Sequence, residues 1–138
     1  MYKEDLLNEL RSLEKNLLKL QKLSWKSKES SKKHVIDQVK YFVSGISYST
    51  AEIGQKIVSM NQGKMFNNVI LEEPVNVMDV FVKLGEVKII SGKTVPYLKK
   101  LLTMTRANRV DIDFVTEAIP HVEEYILNLK AFIKGKSV

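Results

Sequence analysis

KHVIDQVKYFVSGISYSTAEIGQKIVSM, residues 33–60, decides the fold class. Val35, Val39, Phe42, Ile46, Ile53 and Ile57 recur at helical spacing, so the stretch predicts one long amphipathic helix with those residues on its buried face. Gly45 and Gly54 interrupt it, each costing about 1 kcal/mol relative to alanine in a helix interior. Both are tolerable where another backbone packs closely. Asn61-Gln62-Gly63 ends the helix, with Gly63 as a left-handed cap.

Toward the N-terminus, SWKSKESSKK at 24–33 is polar and serine-rich. It predicts an inter-helix loop, and Lys22, Lys26, Lys28, Lys32 and Lys33 make it the most basic short stretch. Before it, Leu6, Leu10, Leu13, Leu17 and Leu20 form one apolar stripe, which predicts a first helix over Glu4–Leu23 with Glu4 and Asp5 at its positive end.

Toward the C-terminus, residues 64–75 predict an apolar loop over the core, because Val69-Ile70-Leu71 as a single strand would have no partner. After Pro74, Asn76 caps a short helix, VMDVFVKL, that stops at Gly85. VKII is a brief extended link to Ser91-Gly92. A fourth helix spans about Thr94–Asn108, with Pro96 in its first turn and Val95, Leu98, Leu101 and Leu102 in the core. The last helix starts at an Asp111 cap and carries Ile112, Val115, Ile119, Val122, Ile126, Leu129 and Ile133 inward. Pro120 within it predicts a kink or restart. Five helices and no credible sheet predict an all-α, up-and-down bundle forming one domain over residues 1–138.

The composition is globular: 44% hydrophobic and 28% charged. No apolar run approaches the roughly 20 residues needed to span a bilayer. The start, MYKEDLLNEL, lacks the apolar segment of a signal peptide. With no cysteine there is neither a disulfide framework nor a thiolate metal site, and the expected location is cytoplasmic. The net charge of +6 fits a phosphate-bearing partner or a solvated lysine-rich surface. Nineteen of the positive residues are lysines, which makes the three arginines, Arg11, Arg106 and Arg109, the more informative.

Most catalytic constellations are missing. There is no glycine-rich phosphate loop and no serine or cysteine nucleophile in a recognisable context. His34 and His121 lie far apart, without carboxylates at ligand spacing, so neither a metal nor another cofactor is expected and both read as surface residues. The polar cluster that stands out is Arg106-Ala107-Asn108-Arg109, where the fourth helix turns into the fifth. Arginines there satisfy the last carbonyls and the helix dipole. Alternatively, they hold a phosphate, for which the planar guanidinium is the better-matched cation.

The order of these elements resembles the HepT-like HEPN family over nearly the whole chain. The similarity begins with ELRSLEKNLLKLQKL and continues through VIDQVKYFVSGISYSTAEIGQKIVS. It is clearest in EEPVNVMDVFVKLGEVKIISGKTVPYLKKLLTM, where a proline, a short helix ending in Leu-Gly, an Ile-Ile link and a helix leading to an Arg-Asn site follow in family order. VDIDFVTEAIPHVEEYILNLKAFI is similar to the closing helix. The resemblance implies a HEPN-type bundle that forms a homodimer with a basic cleft at its interface. Active members are metal-independent ribonuclease toxins of toxin–antitoxin pairs, neutralised by a minimal nucleotidyltransferase.

The family signature is an Arg, usually followed by Asn, then a His within four to six residues and a Tyr two further on. Without a metal, the 2′-hydroxyl of RNA needs a proton acceptor near neutral pH, which His supplies, while Arg stabilises charge on the phosphate. Here Arg106 or Arg109 takes the Arg position and Asn108 or its neighbour the Asn, but Asp111 lies five past Arg106 and Phe114 five past Arg109. A position at which many relatives carry His is Lys56. The resemblance therefore implies a HepT-like protein with reduced or lost ribonuclease activity and retained RNA or partner binding. In it Arg106, Asn108 and Arg109 contact phosphate, with Lys56, Lys32 and Lys33 as a basic rim. Two alternatives stay open: an active metal-independent ribonuclease toxin, and a helical module that docks a nucleotidyltransferase without touching RNA.

Overall fold

The computed structural model describes residues 2–30 and 33–135, and the side chains of 3–23 and 33–135. Among the described residues five α-helices form: α1 (Tyr2–Ser30), α2 (Lys33–Asn61), α3 (Val77–Glu86), α4 (Val95–Arg106) and α5 (Ile112–Gly135). The protein is an all-α helical bundle, as the periodicity predicts. The four longer helices close on one another, α1 against α2, α2 against α4, α4 against α5, and α5 back on α1. The short α3 packs on α2 and α4. All five leucines of the α1 stripe are buried, as are Val35, Val39, Ile46, Ile53 and Ile57 of α2. Phe42 is half-buried at the edge of the same face.

Four local expectations are corrected. The polar stretch from residue 24 is helical through Ser30. It contains neither glycine nor proline, lysine and glutamate favour helix, and serine costs only tenths of a kcal/mol, roughly, so nothing local ends α1. Residues 31–32, and with them Lys32, lie outside the described residues. Val69-Ile70 has a strand partner after all. Met65–Phe66 (β1) pairs antiparallel with Val69–Ile70 (β2) in the register Met65↔Ile70, Phe66↔Val69. Asn67 and Asn68 turn it at φ of 51° and 65°, the left-handed pair that a two-residue hairpin requires and that asparagine tolerates. The hairpin is fastened to the end of α2, where the Gly63 N–H donates to the Leu71 carbonyl and the Leu71 N–H to the Lys64 carbonyl, both at 2.8 Å. Leu71 is buried, but Met65, Val69 and Ile70 face outward, so the segment only partly covers the core.

Pro120 does not restart α5, which is a single helix across it. Buried residues on both sides of the proline, from Val115 to Ile119 and from Val122 to Ile133, hold the helix against the core and offset an interior proline's cost of about 3 kcal/mol. Other expectations hold. Gly63 is left-handed at φ 84°, and the Asn76 side chain accepts from the Asp79 N–H at 3.0 Å to cap α3. The VKII link is compact instead of extended. Lys88 is left-handed at φ 62°, its N–H donates to the Gly85 carbonyl and that of Ile89 to the Leu84 carbonyl, which is the paired bonding of a Schellman ending.

The two α2 glycines differ. A Cβ on Gly54 would lie 2.7 Å from the Tyr125 hydroxyl and 2.9 Å from Val80 Cγ1, so this glycine permits a close approach. Tyr125 is fully buried, donates to the Thr50 carbonyl at 2.7 Å, and packs edge-on against Phe81. Around Gly45 a Cβ would meet nothing within 4 Å, so no packing within the chain accounts for this residue.

Candidate nucleic-acid interface

The turn between α4 and α5 is built from two independent stops. At the end of α4, the Asn108 N–H donates to the Thr105 carbonyl (3.1 Å) and the Arg109 N–H to the Met104 carbonyl (3.0 Å). Asn108 is left-handed at φ 53°. This is again a Schellman ending, with asparagine where glycine is commonest. At the start of α5, the Phe114 N–H donates to Asp111 Oδ1 (3.2 Å). The end of α4 is also tied sideways, since the Thr105 hydroxyl is hydrogen-bonded to the Ser47 hydroxyl of α2 (3.0 Å).

Arg106 and Arg109 therefore project from a fixed turn, and both are exposed. Among the described residues neither guanidinium has a hydrogen bond or ion pair within the chain. Several lysines differ. Lys83 lies 3.6 Å from Glu72, and Lys130 contacts Glu14 at 3.2 Å. Lys56 donates to Glu9 and lies 3.5 Å from Glu52. The Glu9 hydrogen bond, reinforced by both carboxylates, raises the Lys56 ammonium above its ordinary value. Lys56 is thus neutralised from α1 instead of standing free as a rim. Along α2, Lys56 lies nine residues past Ser47 and Lys33 fourteen before it, about 14 Å and 21 Å by helix rise. The structure does not gather these lysines around the arginine turn. Asn108 is exposed there, and its left-handed backbone is a structural reason for asparagine independent of any ligand.

Neither histidine reaches the arginines within the chain. His34 is exposed near the start of α2, about 20 Å by helix rise from Ser47. His121 is not the plain surface residue expected. Its ring is half-buried and stacks on Tyr97, centroids 3.7 Å apart and planes within 9°, and its Nδ1 is buried without a partner among the described residues. Tyr97 lies nine residues before Arg106 on α4, about 14 Å by helix rise, so the imidazole is remote from both guanidiniums.

Tyr97 stacks in turn near Phe114, at 5.8 Å and 12°, and the Lys100 ammonium sits 4.3 Å above the Phe114 ring. The Tyr97 hydroxyl donates to Glu117 (3.3 Å), and the nearby carboxylate raises the phenol above its ordinary value. Sequence reading missed this column. Its signal was present as Tyr97 and Lys100 three apart on α4, and Phe114 and His121 seven apart on α5, flanking the apolar faces.

The turn can hold phosphate by charge-assisted hydrogen bonds. It lacks, within this chain, an imidazole placed to move a proton, and Asp111 is engaged as a cap. Among the described residues no three His, Asp or Glu side chains group as a metal site, and no helix is long and apolar enough to cross a membrane. Comparison with protein-family models, with curated proteins and with solved structures finds no match to this chain.

Proposed function

We propose that the chain is a HepT-like HEPN protein of the cytoplasm that binds RNA through Arg106 and Arg109 and has a reduced or lost ribonuclease site. One observation carries the reading: two exposed guanidiniums, in no ion pair among the described residues, on a turn fixed at both ends and remote from either histidine of the chain. Asn108, between them in sequence, is also exposed. Binding of total tRNA, titrated with salt, tests it. Replacing both arginines with alanine should weaken binding and lower the salt slope by about 1.4–1.8, from about 0.7 per phosphate contact on a single strand to about 0.9 on a duplex. Unchanged binding removes the role. Cleavage of the tRNA by wild-type protein, abolished by Arg106→Ala, would instead establish an active ribonuclease toxin.

The homodimer this reading requires has a suitable surface on α2. Tyr41 and Tyr48 are 75% and 55% exposed, two helical turns apart, and the open Gly45 lies between them. Large aromatics flanking a backbone that a second helix can approach closely suit a symmetric crossing. Tyr41→Glu with Tyr48→Glu should give a monomer in analytical ultracentrifugation.

A second reading, a module that docks a nucleotidyltransferase without RNA, is favoured by a groove between α1 and α5. Leu17, Leu18, Ile126 and Leu127 form its apolar floor and Glu14, Gln21 and Glu123 its polar edge, and Leu18 and Leu127 are 56% and 62% exposed. Purification with a protein partner and no nucleic acid would select it.

A further inference from the structure

We infer that Phe114, capped by Lys100 and backed by Tyr97 and His121, is a stacking platform for a base of single-stranded RNA whose phosphates lie on Arg106 and Arg109. The inference rests on the RNA-binding reading above and adds the class of RNA.

The geometry of the column supports it. Tyr97 and His121 are face to face at 3.7 Å, leaving little room between them. Tyr97 and Phe114 are nearly parallel at 5.8 Å, which with planes roughly 3.5 Å apart means a lateral slip of about 4–5 Å. Phe114 is half-buried against the core, and the slip leaves part of its ring outside the Tyr97 contact. What lies over it is the ammonium of Lys100, an exposed side chain on a flexible stem.

Relative magnitudes favour exchange of that cap for a base. An exposed cation over a ring gives a preference of about two- to five-fold, whereas a base on an aromatic ring is worth about 5- to 150-fold. A displaced Lys100 remains within reach of the strand's backbone. Cations alternating with aromatic faces are what sequence-tolerant single-strand binding uses.

The spacing also matches. Lys100 lies six residues before Arg106 on α4, about 9 Å by helix rise, which is about three nucleotides of a stacked strand at 3.4 Å each. Phe114 opens α5 five residues after Arg109, so platform and arginines flank one inter-helix turn. A duplex offers no free base face, and so gains nothing from the ring.

Fluorescence anisotropy with a labelled oligoadenylate, single-stranded or annealed to oligouridylate, tests the assignment. Phe114→Leu should weaken single-strand binding about 5- to 150-fold and leave the duplex unchanged. Phe114→Trp should keep or raise the affinity, and Lys100→Gln should lower the salt slope by about 0.7. Melting curves of each variant establish that it is folded. If folded Phe114→Leu binds the single strand like wild type while the double arginine variant does not, the platform is overturned and the RNA-binding reading stands. An equal loss on single strand and duplex, or a folded Phe114→Trp that loses affinity, also overturns the platform. Wild-type protein that binds neither form overturns both.

Discussion

Gly54→Ala should destabilise the protein even though alanine is the better helix former. In an open helix interior the change gains about 1 kcal/mol. Here the new methyl carbon would stand 2.7 Å from Tyr125 Oη, 2.9 Å from Val80 Cγ1 and 3.3 Å from Leu84 Cδ1. All three neighbours belong to fully buried residues, so none can swing into solvent. Overpacking of this kind costs about 1–3 kcal/mol. Pushing the phenol from the Thr50 carbonyl, which it meets at 2.7 Å, adds about 1–3 kcal/mol for a buried group losing its partner. The net loss is about 1–5 kcal/mol, centred near 3, which for a chain of 138 residues lowers Tm by about 10 °C. Urea and thermal melts followed by circular dichroism measure it. Gly45→Ala is the control, because nothing opposes its methyl: below the concentration of self-association it should gain up to about 1 kcal/mol. A double-mutant cycle sharpens the test. Tyr125→Phe removes the atom nearest the new Cβ, so the two substitutions should couple by about 1–3 kcal/mol. A Gly54→Ala protein as stable as wild type, or a coupling near zero, would refute the reasoning.

Lys88→Gly relieves a left-handed lysine at the end of α3 and should raise stability by about 0.5–1 kcal/mol in urea melts. Asn76→Ala removes the acceptor for the Asp79 N–H and should cost about 1 kcal/mol, with amide exchange accelerating first in α3. Tyr125→Phe should cost about 1 kcal/mol at neutral pH and yet flatten the alkaline limb of stability. Burial raises the folded phenol far above its ordinary 10.0, so above pH 10 only the unfolded chain ionises there and stability falls by up to about 1.4 kcal/mol per pH unit. Lys56 acts in the same window, because its contribution is complete below its ordinary 10.5 and is lost as pH rises through the higher folded value. Melts between pH 9 and 12 should therefore show a shallower decline in Tyr125→Phe, and to a lesser degree in Lys56→Met, than in wild type.

Helical periodicity made the core legible because a stripe such as Leu6 to Leu20 has one way to be buried. The Asn76, Asp111 and Gly63 caps were legible because their backbone groups need a side-chain or left-handed partner whatever surrounds them. Polar composition misled at 24–30, since serine and lysine there are compatible with helix and only a breaker would have stopped α1. The hairpin escaped notice because two-residue strands leave almost no alternation to read, and its clue was the Asn67-Asn68 pair. At the candidate interface, the exposure of both arginines followed from their place at a helix end. The pairing of Lys56 with Glu9 did not, since the partner is forty-seven positions away and charge alone does not tell a committed lysine from a free one. The aromatic column depends on how α4 and α5 are brought side by side, which no single helix encodes.

The separate terminations of α4 and α5 make the junction a natural splice point. Arg109 closes one helix with its own amide and Asp111 opens the next with its carboxylate, leaving between them Val110, whose backbone neither cap uses and whose side chain rests half-buried on the core. Extra chain inserted there would bulge into solvent at little more than a loop-closure cost, which grows by only about 0.6 kcal/mol for each doubling of length. A grafted segment bearing an imidazole beside the guanidiniums would thus leave the scaffold standing.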